Sequence, residues 1–487
     1  MKQIELKIAG KIWVKKSDCD RELRTLFRKN FSFKSNKTFN GNLEFRTIYS
    51  SQEVGNETYY TFPANFDYFK EKIIDKTSGE IDWVVVDERV APVVDGFVSN
   101  VVPREHQIPI LEDMEKFGYN ALVTASTGSG KTALCLYLAE KLQTPMLFIA
   151  SRVNLINNFS LIECAKFRID MNQVTEINSQ WLDNPKITPI MVTSIQALSE
   201  EILAELYDKV GIVVMDEVHL GSTAEEYNNR LTSMNAKYRL YLSATPYNPD
   251  YSEEFTKAIL SSNIVSAPER IDFKIDLVTF NTIVPSHIHT KYNSVYTAHE
   301  KRQILYTQNY VRKVCELAYY LTRYKGRGVL LYNEDAATQE MTSHILKMYG
   351  LKVGTLNSNT SAKDKKYFLS NFDNGGIDIL VSGGSISAGV SLERLSVIID
   401  TSIKINKNNL QQLVGRLKRK NNEVCDKSKL FIKVTSQGLS GRKWKDDIQA
   451  LKEFDYINFH KTLSAEHYAE YSLLGLGKNF IGELSKN

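Results

Sequence analysis

The segment Ala125-Ser-Thr-Gly-Ser-Gly-Lys131-Thr132 sets Gly128 and Gly130 just ahead of a lysine and a threonine. Glycines let the backbone turn tightly, so that successive N–H groups face one point and can cradle phosphate oxygens. Thr127, Gly128, Ser129 and Gly130 would line such a cradle. Lys131 is placed to neutralise the β and γ phosphates of a nucleotide and Thr132 to reach Mg²⁺, with the N-terminus of a following helix adding partial positive charge. The first position is Ala125 rather than glycine, which costs little if the turn needs no positive φ there. Further along, Ile212-Val-Val-Met-Asp216-Glu217-Val-His219 is an apolar run closed by two carboxylates. At a strand tip beside the loop, Asp216 can hold Mg²⁺ while Glu217 orients or deprotonates the attacking water. His219 is placed to link this pair to a second lobe by hydrogen bonding. Ser243-Ala244-Thr245 ends another strand, where small hydroxyl residues can couple the acidic pair to a bound strand. In Gln412-Leu-Val-Gly-Arg416-Leu-Lys-Arg419 the spacings of four and three put Gln412, Arg416 and Arg419 on one helix face. An arginine delivered across a cleft to a γ-phosphate is worth about 10³ to 10⁵ in rate. Each string alone has a plainer reading as a turn, a helix cap or a solvated basic face; their combination favours nucleotide hydrolysis.

The elements that must position these residues follow from the hydrophobic pattern. From Asn120 onward, short apolar runs alternate with amphipathic stretches, as in parallel βα units. Strands are expected at 121–124, 146–150, 190–194, 211–216 and 238–243, with helices at 132–142 and 195–207 against the sheet. A second series has strands at 328–332, 353–356, 378–382, 397–400 and 430–434 and helices at 336–349, 362–372 and 409–420. The first 95 or so residues, with strand-like stretches at 3–14 and 82–86, read as a small separate domain. The stretch 247–323 should contain the crossing between lobes, and the chain after Gly441 reads as helical.

Length and composition agree with several soluble domains. At roughly 100 to 200 residues per domain, 487 residues suggest about three. The hydrophobic share of 43% and charged share of 24% are those of a globular protein. No apolar run is long enough to span a bilayer, and charges in residues 1–20 interrupt any signal-like stretch, so a cytoplasmic location is expected. Five scattered cysteines without a CxxC pair argue against a disulfide framework or a zinc ribbon. The net charge of +4 conceals two basic runs: residues 1–40 hold eleven Lys and Arg against four acids, and residues 403–446 twelve against three. Polyphosphate partners fit that distribution, as does a solvated face.

Taken in order, Gln107, the phosphate loop, the Asp-Glu-Val-His string, the Ser-Ala-Thr string and Gln412 to Arg419 resemble the superfamily 2 helicases over residues 104–419. The resemblance implies two tandem RecA-like α/β lobes, parallel sheets with helices on both faces, with ATP and Mg²⁺ as cofactors. Here they would be flanked by a small N-terminal α+β domain and a helical C-terminal tail. The corresponding divisions are 1–95, an accessory and DNA-binding domain; 96–262, the ATP-binding lobe; 263–440, the second lobe with its linker; and 441–487, the tail. By the same resemblance, Arg104 and Gln107 would hold the adenine end of the nucleotide. Arg152, Thr193 and Ser194 would hold phosphates of the tracking strand. The string Val381-Ser-Gly-Gly-Ser-Ile-Ser-Ala-Gly389-Val-Ser391 is similar to the fifth helicase motif, with Ser385 and Ser387 toward nucleic acid and Gly389 toward nucleotide. It departs from that motif at Gly383, where threonine is common, and at Ser391, where aspartate is common. The stretch Gly389-Val-Ser-Leu-Glu-Arg-Leu and the N-terminal domain further resemble phage recombination helicases of the UvsW type, which implies a DNA motor acting on forks, D-loops and four-way junctions; the oligomeric state is left open, with a monomer favoured. An RNA helicase shares every ATP motif, although Val218 and His219 break the strict DEAD tetrapeptide. A restriction-type motor subunit would be expected to bring a nuclease motif, and a clamp with a decayed ATP site would have lost Lys131, Asp216, Glu217 or Arg419.

Overall fold

The computed structural model describes residues 2–39, 42–125, 129–150, 156, 158–218, 230, 233–243, 251–266, 275–282, 308–323, 326–383, 386, 392–402, 410, 413–418, 429–436, 444, 448–449, 451–452, 457–459 and 463–464. It divides into two compact units, Met1–Glu269 and Arg270–Asn487.

The first unit opens with β1 (Lys2–Ile8) and β2 (Ile12–Lys15), an antiparallel hairpin where one strand-like stretch is expected. Helix α1 (Arg21–Asn30) follows, its N-terminus capped by Asp20, whose carboxylate accepts from the Leu23 N–H at 2.9 Å. Then come β3 (Ser32–Phe39), β4 (Asn42–Thr47), β5 (Ser50–Val54), β6 (Glu57–Phe62) and β7 (Ile81–Asp87). Five of these form a sheet in the order β5-β6-β2-β1-β7, with β7 parallel to β1. Phe27, Phe31, Phe62 and Phe69 stack their edges and faces between α1 and this sheet.

The second sheet of the unit contains β8 (Asn120–Thr124), β9 (Met146–Ala150), β10 (Val174–Ile177), β11 (Ile190–Ser194), β12 (Ile212–Asp216), β13 (Tyr238–Ser243) and β14 (Ile264–Ser266). Its order is β10-β11-β9-β12-β13-β8-β14, and every pairing is parallel. Strands such as Met-Leu-Phe-Ile-Ala in β9 are buried at every position, because helices cover both faces. One face carries α2 (Ile108–Lys116) and α3 (Lys131–Leu142); the other carries α4 (Glu200–Leu206) and α5 (Glu253–Ile259). Residues 195–197 form a separate 3₁₀ turn before α4, so the single helix expected over 195–207 is broken.

The N-terminal sheet does not stand apart from this lobe. Its core residues Leu6, Phe27, Phe31 and Phe69 belong to one continuous cluster with Leu122, Met215 and Phe255 of the lobe. Phe33 meets the Phe255 ring at 5.5 Å, Arg46 lies over Phe255 at 5.3 Å, and Asp67 accepts from Asn263 at 2.7 Å. An isolated bridge pairs Val90 with Ala236. The lobe also ends later than expected, since β14 pairs with β8 beyond residue 262.

The second unit is built on β15 (Ile275–Thr282), β16 (Gly328–Tyr332), β17 (Val353–Leu356), β18 (Ile379–Ser382), β19 (Leu395–Asp400), β20 (Lys429–Ser436), β21 (Ile457–Phe459) and β22 (Leu463–Ser464). The order is β17-β18-β16-β19-β20-β15-β21, with β22 also on β15. Helices α6 (Gln308–Arg323), α7 (Ala336–Met348) and α8 (Ala362–Asp373) pack against it. The tail expected to be helical is corrected here: β21 and β22 continue the sheet beside β15. Trp444 is buried and donates its indole N–H to Thr279 Oγ1 at 2.9 Å.

Phe255→Ala should therefore loosen both parts of the first unit together. Emptying so large a buried site costs about 3–5 kcal/mol. In urea unfolding, the fluorescence of Trp83 and of Trp181 should move to lower denaturant in a single shared transition.

Candidate active site

Parallel register brings three chain ends to one edge of the first lobe's sheet. Ser243 pairs with Thr124, and Asp216 with Leu242. The Ala125 N–H donates to the Ser243 carbonyl at 3.1 Å, so the phosphate loop leaves β8 tied to the strand that leads to Ser-Ala-Thr. Lys131 begins α3, and its Nζ donates to the Ala125 carbonyl at 2.7 Å across the loop. Gly130 caps that helix with φ +86°, a conformation that favours glycine. Space alone would also demand glycine there, because a Cβ would stand 2.4 Å from Gln107 Nε2.

Gln107 is buried, and its amide nitrogen donates to the Ser129 and Gly130 carbonyls at 3.1 and 3.2 Å. Its oxygen accepts from the Arg104 N–H at 2.9 Å. The residue expected to read adenine thus braces the loop that would hold the phosphates. His106, a contributor missed from sequence, places Nε2 3.3 Å from the Ser129 carbonyl. A histidine beside a candidate glutamine gives no signal in sequence; only the fold of the 105–107 turn brings it to the loop.

The acidic pair sits at the end of β12. Asp216 Oδ1 accepts from the Glu217 N–H at 3.0 Å, and Glu217 takes the left-handed conformation at φ +51°. Backbone of this kind in a non-glycine residue is strained and clusters at functional sites. Asp216 keeps some exposed surface, yet its carboxyl is enclosed. Burial and then the charge of Glu217 push its pKa up to about 7, against the opposing pull of Lys131. Two adjacent buried carboxylates beside one lysine are a donor set suited to a further cation, and Thr132 at the start of α3 lies next to Lys131.

Other expected site residues fare differently. Thr193 and Ser194 are buried at the end of β11. The Thr193 hydroxyl donates to the Ile177 carbonyl at 2.9 Å, and Ser194 Oγ accepts from the Ala197 N–H at 3.3 Å. Both side chains hold the lobe together, where they are expected to grip phosphates. Ser243 is fully buried. Arg416 lies in a 3₁₀ turn, Arg416–Lys418, rather than mid-helix, and is buried in the second unit with its charge near the Tyr332 phenol. Thr127, Gly128, Arg152, His219, Ala244, Thr245, Ser385, Ser387, Gly389, Gln412 and Arg419 lie outside the described residues.

The second unit explains one departure from the helicase pattern. A Cβ on Gly383 would come within 2.6 Å of both the Asn333 carbonyl and Gln339 Nε2, which are themselves joined at 2.6 Å. A threonine has no room there. In the basic run of 403–446, Lys429 donates to the Leu395 carbonyl at 2.6 Å, and Lys433 pairs with Asp400 at 2.7 Å, both buried. That run is partly interior.

A twisted parallel sheet with a phosphate loop and an acidic strand tip, followed by a second sheet of the same kind, defines a two-lobed RecA-like ATPase. Residues 100–248 match the family described as "Type III restriction enzyme, res subunit", and residues 309–421 match "Helicase conserved C-terminal domain". The chain belongs to the superfamily 2 helicases, a family of ATP-dependent nucleic-acid helicases. It is 25% identical over 363 residues to "Probable helicase D10" of Escherichia phage T5, covering 70% of this chain and 73% of the phage protein. Its fold is similar to that of the Mycobacterium smegmatis helicase Lhr bound to ssDNA and AMP-PNP, with TM-score 0.53, 17% identity, and cover of 75% of this chain and 51% of that one. Dbp5 of S. cerevisiae bound to RNA and ADP BeF3 aligns at TM-score 0.56 and 14% identity over 76% of this chain and 92% of its own. This chain therefore spans about three quarters of the phage relative and about half of Lhr.

Two outcomes follow from the geometry. The raised carboxyl of Asp216 binds its proton more tightly folded than unfolded, so without metal or nucleotide its contribution is full below about pH 4 and is lost as pH rises through about 7. Asp216→Asn, which cannot ionise, should flatten that fall and melt higher than the parent above pH 7, by about 1–2 kcal/mol, while ATP turnover disappears. Gly383→Thr should destabilise the second unit by about 1–3 kcal/mol in chemical denaturation, because Gln339 and Asn333 must shift.

Proposed function

We propose that this chain is an ATP-driven DNA translocase that remodels branched DNA, such as forks, D-loops and four-way junctions, in recombination, repair or replication. The observation that carries the branched-DNA reading is the accessory sheet of residues 2–87 sharing one core with the ATP-binding lobe. A domain so joined moves with the lobe at each turnover, and can drive strands apart or past one another as the motor advances. Its basic residues in 1–40 suit DNA phosphates. The break in the DEAD tetrapeptide at Val218 and His219 supports DNA over RNA as the track.

In this reading Lys131 neutralises the β and γ phosphates of ATP, and Gln107 with Arg104 keeps the loop in shape around them. Thr132 and Asp216 would hold Mg²⁺, which supplies further positive charge to the phosphate oxygens when bound. Glu217 orients the attacking water and receives its proton on the carboxylate. From their motif, Gln412, Arg416 and Arg419 are assigned to the charge that develops in the transition state, while His219, Ser243, Ala244 and Thr245 couple hydrolysis to the bound strand. Arg152, Ser385 and Ser387 are assigned to phosphates of that strand. No helix among the described residues is long and apolar enough to cross a membrane. We place the protein in the cytoplasm, acting as a monomer.

The test is steady-state ATP hydrolysis with four-way junction DNA, single-stranded DNA, duplex DNA and RNA as alternative activators, with junction dissociation followed in parallel. Junction DNA should stimulate most strongly and be dissociated. Lys131→Ala should abolish turnover and movement while DNA affinity falls less than about threefold. Stimulation by RNA alone would overturn the DNA reading, and normal hydrolysis by Lys131→Ala would overturn the site.

A further inference from the structure

The first unit contains a second place suited to phosphate, remote from the ATP loop. A cavity of ≈ 270 Å³ opens between the accessory sheet and the start of the lobe's central strands. Arg89, Lys237 and Arg239 line it, together with Phe66, Phe117 and Tyr241. Arg239 and Tyr241 are on β13, whose other end, Ser243, meets the phosphate loop. At about 3.3 Å per residue Arg239 and Ser243 are roughly 13 Å apart along the strand, so the cavity lies toward the starts of the central strands and the ATP loop at their ends.

The charges there are arranged unusually for a purely structural cluster. Arg239 is 3% exposed, one Nη donates to the Met234 carbonyl, and its guanidinium interacts with the Tyr241 phenol. Arg89 is close enough for its like charge to act against that of Arg239. Arg89 also makes a two-pronged pair with Asp87 at 2.8 Å, and Asp87 feels Lys237 as well. The acid on the cavity wall, Asp67, accepts from Asn263. The Lys237 ammonium lies 5.9 Å from the Tyr238 ring centroid and has no hydrogen-bond or ion-pair partner among the described residues, while its backbone N–H donates to the Val90 carbonyl at 2.9 Å. Three cations thus line the cavity with one carboxylate, Asp67, which is already hydrogen-bonded, while Asp87, outside the lining, is engaged by Arg89. Gathering guanidinium groups in a partly desolvated space is unfavourable unless an anion joins them, and arginine forks suit phosphate oxygens. The rings of Phe66 and Phe117 beside them offer flat apolar surface such as a nucleobase covers.

We propose that this cavity binds a phosphate group, presented either by a nucleic-acid strand running along the accessory domain or by a free nucleotide. The site is independent of the reading of the ATP loop and of which nucleic acid is the track. It makes the seam between accessory domain and lobe a ligand site in its own right.

The experiment uses the full chain carrying Lys131→Ala, so that the ATP loop has lost its phosphate-binding cation. Inorganic phosphate, AMP and a labelled single-stranded oligonucleotide are titrated by calorimetry and fluorescence anisotropy. The same titrations are run with Lys237→Ala or Lys237→Arg added. Lys237 is exposed, so both additions should leave the melting temperature unchanged. A tenfold loss of phosphate and AMP binding with Lys237→Ala, restored by Lys237→Arg, supports the site with a free nucleotide as its ligand. A tenfold loss of oligonucleotide affinity, with the salt slope reduced by about 1, supports it with a strand phosphate as the ligand. Equal binding of all three probes with and without Lys237→Ala, or binding of none, overturns the proposal.

Discussion

The structure of the first lobe turns on two neighbouring carboxylates, Asp216 and Glu217, held largely away from water opposite one lysine. Burying negative charge is expensive, and the cost is reduced, here only in part, where cationic groups are delivered from elsewhere in the chain. The parallel register of β8, β13 and β12 does this by bringing the loop of Lys131 to the same edge as the acidic tip. Gly130 permits the turn, and Gln107 fills the space that any larger residue at 130 would occupy. The helix behind Lys131, the brace from Arg104 and the left-handed Glu217 all serve that single arrangement.

Much of this was legible before folding was considered. Short apolar runs such as 146–150 and 212–215, alternating with amphipathic stretches, fit strands covered on both faces, and a glycine-bracketed loop ahead of Lys131 fits such a strand's end. Less legible were features that depend on distant packing. Thr193 and Ser194 have the chemistry of phosphate ligands, and nothing in a sequence distinguishes a hydroxyl turned to solvent from one spent on Ile177 or on a turn at Ala197. The short strands β10, β14, β21 and β22 carry too few residues to show alternation. Gly383 reads as a lost threonine until Gln339 is seen to take its space.

The second unit answers the same electrostatic problem differently. Lys433, Asp400 and Ser402 form a closed set in which the ammonium reaches a carboxylate, a carbonyl and a hydroxyl, with Trp444 over it at 5.5 Å. Every donor there has a partner inside the lobe. Part of a basic segment that looks like a surface for polyanions is therefore interior scaffolding. Net charge along a sequence overstates what a partner can touch when lysines serve as struts.

The continuous core beneath Phe255 has a bearing on ancestry. Accessory domains are often exchanged between motors as cassettes, which requires a junction crossed by little more than a linker. A cut near residue 95 would uncover Phe255, strip Arg46 from its ring and leave the Asn263 amide without Asp67 as an acceptor. The inheritable piece is instead the block from the first strand to about residue 269, with sheet and ATP lobe travelling together. A recombination event that joined this ATP lobe to a foreign N-terminal domain would have to rebuild its outer face at the same time.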